Sequence, residues 1–460
     1  MEAVATQEVV DPQDRGPSLL ARLERMPVTR PVLWARGCVG MATFFDGYTT
    51  LAIAYAMPIL KTAWDLSPTE MAAIISSGYA GQLVGAIFFG WLAERIGRLP
   101  VLAIAIGIFA VMSLACIFAW DGTSLLLFRF FQGIGTGGEV PVASAYVNEL
   151  SGAKKRGRFF LLYELLFLVG LVAAGAIGYA FVPNWGWQAM FIIGLVPVAL
   201  VIPLRFFMPE SPRWLIAKGR FDKAEAVVAK FEASAMKHNQ PLPEPKQLAV
   251  PVATPKGDVR EMFGPFYGPR TVLLWLLWFS AYMVNNGLVT WLPTLYKERF
   301  GISIDTAILY GFGMTGVALV ASFVCALTID ITGRRRWYTT AFLLASMPMI
   351  ALYVLGATSA TQILVFATLT YAALQTVTYS LYLYSGELYP TRLRSLGAGL
   401  GSAWLRLGSI AGPWMIGLVI TGGSIAPVFL AFAIIAIVAG IATWKFAPET
   451  TGRVLEEVSP

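Results

Sequence analysis

GWLAERIGR at positions 90–98 is echoed by ALTIDITGRRR at positions 326–336, with Gly97 and Gly333 standing 236 residues apart. Two further pairs repeat at nearly the same interval. ELSGAKKRGR from Glu149 answers ELYPTRLRS from Glu387 at an offset of 238, and PESPRWL from Pro209 answers PETTGRVL from Pro448 at 239. Three independent echoes at almost one spacing mean that the chain is built as two halves in parallel orientation, related by an axis along the membrane normal.

That these halves are membrane bodies follows from composition. Of 460 residues, 57% are hydrophobic and 13% charged, about half the charged share of roughly 25% in a soluble domain. Apolar runs of spanning length fall at 32–58, 70–93, 99–119, 124–147, 159–182 and 187–207 in the first half, and at 271–295, 304–329, 338–356, 362–385, 396–420 and 425–446 in the second. With about 20 residues per spanning helix, twelve helices leave no room for a large soluble catalytic domain. The expected organisation is an N-terminal segment 1–31, a six-helix bundle 32–207, a charged linker 208–270, a second six-helix bundle 271–446 and a tail 447–460. In the linker, Phe221, Ala224, Val228 and Phe231 keep helical spacing and predict an amphipathic helix. Ser67-Pro68-Thr69-Glu70 predicts a firmly capped start to the second span.

The formal charge of +7 would raise nucleic acid as a partner in a soluble protein, but position decides otherwise. With the N-terminus inside, Lys61, Lys297 and Arg299 fall outside and Arg129 and Arg406 within spans, which leaves 29 of the 34 basic residues in inner connections. By the positive-inside rule both termini are then expected in the cytoplasm, with the chain in the plasma membrane, or the inner membrane if the source is bacterial. The partners expected are a small-molecule substrate, protons and the lipid bilayer, with a single chain sufficient for function. The only histidine, His238, lies in a polar stretch, and Cys38, Cys116 and Cys325 are scattered among apolar spans. Neither a metal site, nor a disulfide framework, nor a Ser-His-Asp triad is expected, and no cofactor. The polar first 30 or so residues carry no secretory signal pattern.

The repeated GWLAERIGR and DITGRRR segments resemble the loop between spans two and three of the major facilitator superfamily and its copy between spans eight and nine. Glu94 stands where that family usually has Asp. The implied fold is all-α, twelve transmembrane helices in two pseudo-symmetric six-helix bundles. PESPRWL, PETTGR and the two Glu149 and Glu387 segments are similar to the sugar-porter branch. DGYTTLAIAYAMP, from Asp46, is similar to aromatic-acid/proton symporters, RLGSIAGP, from Arg406, to organic-anion carriers, and GGEVPVA with YELLFLVGL to niacin-type symporters. The second Asp of the aromatic-acid group, three residues after the first, is here Thr49, as is the coupling Asp that follows Gly-Tyr in sugar/proton symporters. If coupling needs that carboxylate, this chain couples differently or not at all.

Charges inside spans are the sharpest signal, since each costs roughly 2.5 to 3.5 kcal/mol at a helix centre on insertion scales. They are Asp46, Arg129, Glu139, Glu164 and Arg406. Asp46 is the expected proton carrier, Arg129 its conformation-dependent partner and Glu139 a second proton site or a tether, with a permanent Asp46–Arg129 bridge as the alternative. Arg406, with no acid in its own span, suits a bidentate bond to a substrate carboxylate, or a bridge to an acid on another helix. Glu164 is expected to pair with loop arginines. The glycines of RFFQGIGTGGE, positions 129–139, mimic a nucleotide fingerprint but follow no strand, and close helix approach explains them better.

Tyr371, Gln375 and Tyr379 share one face of span ten; with Asn285, Asn286 and Trp291 of span seven and Tyr48 beside Asp46 they are the candidate substrate contacts. Glu94, Arg95, Arg98, Glu149 and Arg156, with Asp330, Arg334, Arg335, Glu387 and Arg392, form charge clusters at helix ends. The resemblance implies that these, with Glu164, are gates holding the outward-facing state. The function expected is proton-coupled uptake of a small organic acid, an aromatic monocarboxylate of nicotinate or benzoate type, by alternating access. A sugar or polyol carrier, by symport or facilitated diffusion, is the alternative within transport, and a non-transporting nutrient sensor the alternative outside it.

Overall fold

The structure is a computed structural model that describes residues 12–150, 156–245, 258–422, 424–452 and 459. Helices dominate because backbone polar groups in lipid must be satisfied within their own segment. The first bundle comprises α2 (Arg30–Trp64), α3 (Pro68–Ile96), α4 (Arg98–Ile117), α5 (Gly122–Glu149), α6 (Arg156–Trp185) and a broken sixth span, α7 (Gln188–Ile193) with α8 (Val198–Phe206). The second comprises α11 (Gly268–Phe300), α12 (Ile304–Thr332), α13 (Arg334–Leu355), α14 (Ala360–Leu388), α15 (Thr391–Ile420) and α16 (Ala426–Phe446). This is the twelve-span order expected, with the start of α2 and the end of α16 on one face, here the terminal face, and the opposite one the distal face. Among the described residues, nine helices are by themselves long and apolar enough to cross a membrane. The shortfall is informative. The full-length helices that miss that measure are α2 and α5, which carry Asp46, Arg129 and Glu139, and the sixth span is cut by a turn over residues 194–197 containing Gly194 and Pro197.

Outside the bundles, α9 (Pro212–Ala217) and α10 (Phe221–Lys237) form the linker helices, and Ala224, Val228 and Phe231 are the buried stripe of α10 as expected. A short helix not foreseen, α1 (Pro12–Glu24), packs on α10. Arg22 and Arg25 both reach Glu232 at 2.6 Å. Burial pushes the Glu232 carboxyl up, but the hydrogen bonds from Arg22 and Arg25 outweigh it and hold its pKa below the ordinary glutamate value.

The repeat is reproduced atom by atom on the terminal face. Arg98 bonds Glu149 and Glu94, each at 2.8 Å; Arg334 bonds Glu387 at 2.9 Å and Asp330 at 2.5 Å. Glu210 accepts the Leu99 N–H at 3.2 Å, and Glu449 accepts those of Arg334 and Arg335 at 2.9 and 3.1 Å. These carboxylates cap the N-termini of α4 and α13, where the helix dipole favours negative charge. Each lies over a glycine at positive φ, +112° at Gly97 and +88° at Gly333, where a Cβ would stand 2.4 and 2.5 Å from a carboxylate oxygen. The hydroxyls of Tyr146 and Tyr384 donate to the carbonyls of Pro209 and Pro448 at 2.7 and 2.9 Å, a further matched pair that sequence reading missed.

The halves meet on the distal side. α3 packs on α15, α6 on α12 and α2 on α11, and the first two of these contacts exchange under the repeat. Ser76 Oγ donates to the Ile410 carbonyl at 3.1 Å, and Lys297 Nζ to that of Pro58 at 2.8 Å. Lys61 and Glu298 pair beside them. A Cβ at Gly175 would lie 2.8 Å from Phe312. Distal residues of the first bundle, such as Leu51, Leu60 and Phe191, share one core with the second bundle. Its terminal-side residues, among them Val39, Phe89, Leu102 and Tyr146, form a separate core that includes nothing from the second bundle. The conformation is therefore closed distally, and among the described residues no buried apolar cluster joins the halves on the terminal side.

Gly97→Ala and Gly333→Ala should each lower stability by about 1–3 kcal/mol, from the strained φ and the displaced carboxylate; thermal unfolding of the purified protein checks this, with Gly90→Ala, at an open helical position, as the control. Because the Glu232 pKa is depressed in the folded state, its contribution is present above the unfolded value of about 4.3 and is lost as pH falls through the folded one. Hydrogen-exchange protection over α1, taken relative to the intrinsic exchange rate at each pH, should accordingly fall in acid, and Glu232→Gln should bring that loss of protection to neutral pH.

Candidate functional site

At the level of Asp46 the two bundles enclose a cavity of about 900 Å³, its opening included. Asp46 and Glu164 reach it from the first bundle, and Arg406, Asn285, Asn286, Tyr371, Gln375 and Tyr379 from the second. The helical spacing of Tyr371, Gln375 and Tyr379 places all three on the face of α14 that turns inward. Asn285 Nδ2 donates to Gln375 Oε1 at 3.0 Å, which orients both amides, and Asn286 Nδ2 donates to Ser409 Oγ at 2.7 Å. Tyr79, Tyr282 and Tyr382, with Thr43, Thr50 and Gln82, also line the space. Sequence reading missed them. Tyr282 sits one turn before Asn285 and Tyr382 one turn after Tyr379, so the faces already chosen would have included both.

Arg406 is 3% exposed, and its Nη1 is held by the carbonyl of Ser402, one turn back on α15, at 2.9 Å and by the Ser402 hydroxyl. Among the described residues its buried Nε has no hydrogen-bond partner, and neither has Asp46 Oδ1. No ion pair within 4.0 Å joins them or engages either with any other described residue, yet Arg406 is the cation whose charge reaches Asp46. The geometry thus sets Asp46 and Arg406 on opposite halves, facing a common space with bonding capacity to spare, with Glu164 a second acid on the first bundle's side.

Other expectations are redistributed. In this conformation Arg129 does not pair with Asp46; its Nη1 donates to Gln132 Oε1 at 2.7 Å. Glu139 accepts the Thr43 hydroxyl at 3.0 Å and shares a smaller cavity with Asp46. Glu164 lines the central cavity with Asp46 and makes no ion pair with an arginine among the described side chains; α6 begins at Arg156, and eight residues of helix, about 12 Å, carry Glu164 inward. Tyr48 and Trp291 are not among the lining residues. Tyr48 is two residues from Asp46, hence on another helix face, and its hydroxyl donates to the Met190 carbonyl at 3.0 Å; Trp291 is 4% exposed in the packed core. The glycines of α5 act as close-approach residues: a Cβ at Gly133 would stand 2.1 Å from the Gly78 carbonyl oxygen and one at Gly137 2.2 Å from that of Gln82.

The bridges described at the helix ends each lie within one half, so here they brace the bundles and do not join them. Arg392 pairs with Glu261 of the linker, and Glu387 takes the Thr450 hydroxyl at 2.6 Å. Arg95 stacks on Trp91, 3.8 Å from the ring centroid, and Arg335 Nε donates to the Trp444 carbonyl at 3.0 Å. Residues 151–155 and the Arg156 side chain lie outside the described residues. Thr49 donates to the carbonyls of Phe45 and Asp46 at 2.8 and 3.1 Å, so it is satisfied by its own helix.

Residues 38–460 match the family described as sugar (and other) transporter. The chain belongs to that family. This transporter is 32% identical over 446 residues to a niacin transporter of Acinetobacter baylyi, across 96% of its own length and 99% of the relative's. It is 29% identical over 387 residues to a 4-hydroxybenzoate transporter of the same species, across 84% of each. The crystal structure of a D-xylose–proton symporter superposes with a TM-score of 0.73 at 20% identity, over 92% of the transporter and 99% of that chain. The likeness confirms the major facilitator fold, and the transporter is a multi-pass membrane protein.

The cavity makes a direct prediction about which tyrosines matter. Tyr382→Phe should change ligand affinity, whereas Tyr48→Phe should leave it within about twofold while costing about 1 kcal/mol of stability for the lost hydrogen bond. Equilibrium binding and thermal unfolding on the two purified variants separate these effects.

Proposed function

We propose that the transporter imports a small aromatic monocarboxylate together with a proton. The observation that carries this reading is the facing of Asp46 and Arg406 from opposite halves across one cavity walled by tyrosines and amides. A carboxylate entering the cavity finds Arg406 Nε free for a charge-assisted bond, and the rings of Tyr371, Tyr379 and Tyr382 offer faces and edges to an aromatic body. When the substrate takes over Arg406, Asp46 loses its cation and a proton neutralises it instead, so substrate and proton load together. Glu139, bonded to Thr43 one turn from Asp46, serves as a second proton site. With both charges answered the site carries no net charge, and the halves can rock about it. The excess of basic residues on the terminal face supports its assignment to the cytoplasm, and the conformation closed distally is then the inward-facing one. The transporter works as a single chain in this reading, and its niacin and 4-hydroxybenzoate relatives support the substrate class.

The sugar alternative is favoured by the family description and by the Asn285–Gln375 amide pair, a donor and acceptor set suited to hydroxyls. Energetics separate the two. One proton entering with one monoanion moves no net charge, so a membrane potential of 100 mV, about 2.3 kcal/mol per charge, should not drive uptake. One pH unit, about 1.4 kcal/mol, should support roughly tenfold accumulation. Proteoliposomes loaded at higher internal pH should accumulate nicotinate or a benzoate, and Arg406→Gln should abolish this while the protein still folds. Uptake that follows potential, or competition by sugars and not by acids, would sink the reading.

A further inference from the structure

Beside the central cavity, and separate from its Asp46–Arg406 axis, lies a polar annex within the first bundle, lined by Arg129, Gln132, Tyr79 and Thr49 among others. Arg129 is 7% and Tyr79 6% exposed. The only bond made by this guanidinium to an acceptor among the described residues is the one to Gln132, whose Nε2 in turn donates to Ser113 Oγ at 2.7 Å. The ionisable groups near enough to act on Arg129 are Cys116 and Tyr79, both uncharged at neutral pH. An arginine does not shed its proton, so the annex holds a full positive charge with no carboxylate among the described residues within ion-pair distance of it.

Two donors in the annex are buried without a partner, the Arg129 Nε–H and the Tyr79 hydroxyl. Gly78 is what lets the guanidinium in, since a Cβ there would stand 2.8 Å from Arg129 Nη2. Thr49, Thr50 and Thr136 are spent on backbone carbonyls of their own helices. The donor set that remains is cationic and hydroxylic, the kind that holds an anion. The annex is at the lower limit of room for one water-sized particle, which excludes an aromatic acid and admits a halide, somewhat larger than water, only as the flexible Arg129 and Gln132 side chains give way. Thr50, Tyr79 and Gln82 border both the annex and the central cavity, so an ion can enter from there.

We propose that Arg129 and Tyr79 form a binding site for a small inorganic anion of halide size, which neutralises the buried guanidinium whenever Asp46 is turned toward Arg406. The ion is a structural counter-charge and is not transported substrate. It holds the α3–α5 packing at Gly78 and Gly133 together in the conformation described.

The test uses the full purified chain in detergent, with neither acid substrate nor pH gradient, so its outcome is independent of the transport reading. Thermal unfolding is followed in sodium chloride against sodium gluconate at matched ionic strength. A saturable rise in Tm with chloride, reproduced by bromide, is expected. Gln132→Glu places a carboxylate against Arg129 and should remove the halide response with the fold retained; Tyr79→Phe should weaken the apparent halide affinity, by about tenfold for the loss of one of two donors. Arg406→Gln should leave the response intact. Equal unfolding in chloride and gluconate overturns the proposal. So does a halide response unchanged in both Gln132→Glu and Tyr79→Phe, or one lost in Arg406→Gln, which would put the ion in the central cavity. Should Gln132→Glu fail to fold, bromide located by anomalous scattering decides: beside Arg129 Nε it supports the site, elsewhere it refutes it.

Discussion

A charge taken out of water must be answered by another charge, by hydrogen bonds or by a proton, and in the middle of a membrane few answers are at hand. The architecture follows from where this chain places its unanswered charges. Asp46 and Arg406 sit on α2 and α15, helices from different bundles, and both turn to the space between the bundles. Neither is sealed in an ion pair, and each keeps an unpartnered atom. Had both been on one bundle they could have closed on each other permanently, and the cavity would have been an inert packing defect. Spread across the seam, they make the relative position of the bundles depend on what lies between them.

For that dependence to do work, each bundle has to move as one body. The duplicated braces at the terminal face supply the stiffness: Glu210 and Glu449 cap the helices that begin at Arg98 and Arg334, the same arginines clamp Glu149 and Glu387, and Tyr146 and Tyr384 tie in the following prolines. Every one of these bonds is internal to its half. Contacts between halves are of another kind, with small residues such as Gly175 and Gly311 against Phe312 and Tyr55, and the exposed pair Lys61–Glu298. Surface pairs of that sort are individually weak. Strong bonds within the bundles and weak ones between them are what a rocking mechanism requires.

Sequence patterns exposed the fold more fully than the site, for a physical reason. Spanning length and apolarity are enforced by the bilayer along a whole segment, so the spans, the linker helix and the two-fold repeat could all be read directly. Which face of a span looks inward is fixed by neighbours hundreds of residues away. Tyr48 and Tyr382 are equivalent as letters in apolar helices, yet one donates to α7 and the other walls the cavity. Charged residues fared better because an intramembrane charge needs a reason wherever it points, although the partner could not be foreseen: Asp46 looks to Arg406, and Arg129 to Gln132. α1 was missed because its apolar positions, such as Leu19 and Leu23, make sense only once α10 and the first bundle are beside it.

One turn beyond Asp46 stands Thr49, whose hydroxyl is turned back on the backbone, so α2 offers no second carboxylate there. That bears on which solute the pair can couple. A neutral sugar bound between Asp46 and Arg406 would leave their attraction in place, and nothing would oblige Asp46 to take a proton. In the proposed cycle an anion competes for Arg406 directly, so its arrival and the protonation of Asp46 become one event. In the proposed cycle, Asp46 facing Arg406 across the seam, with Glu164 and Glu139 nearby, is therefore a coupling device better suited to a monocarboxylate than to a sugar.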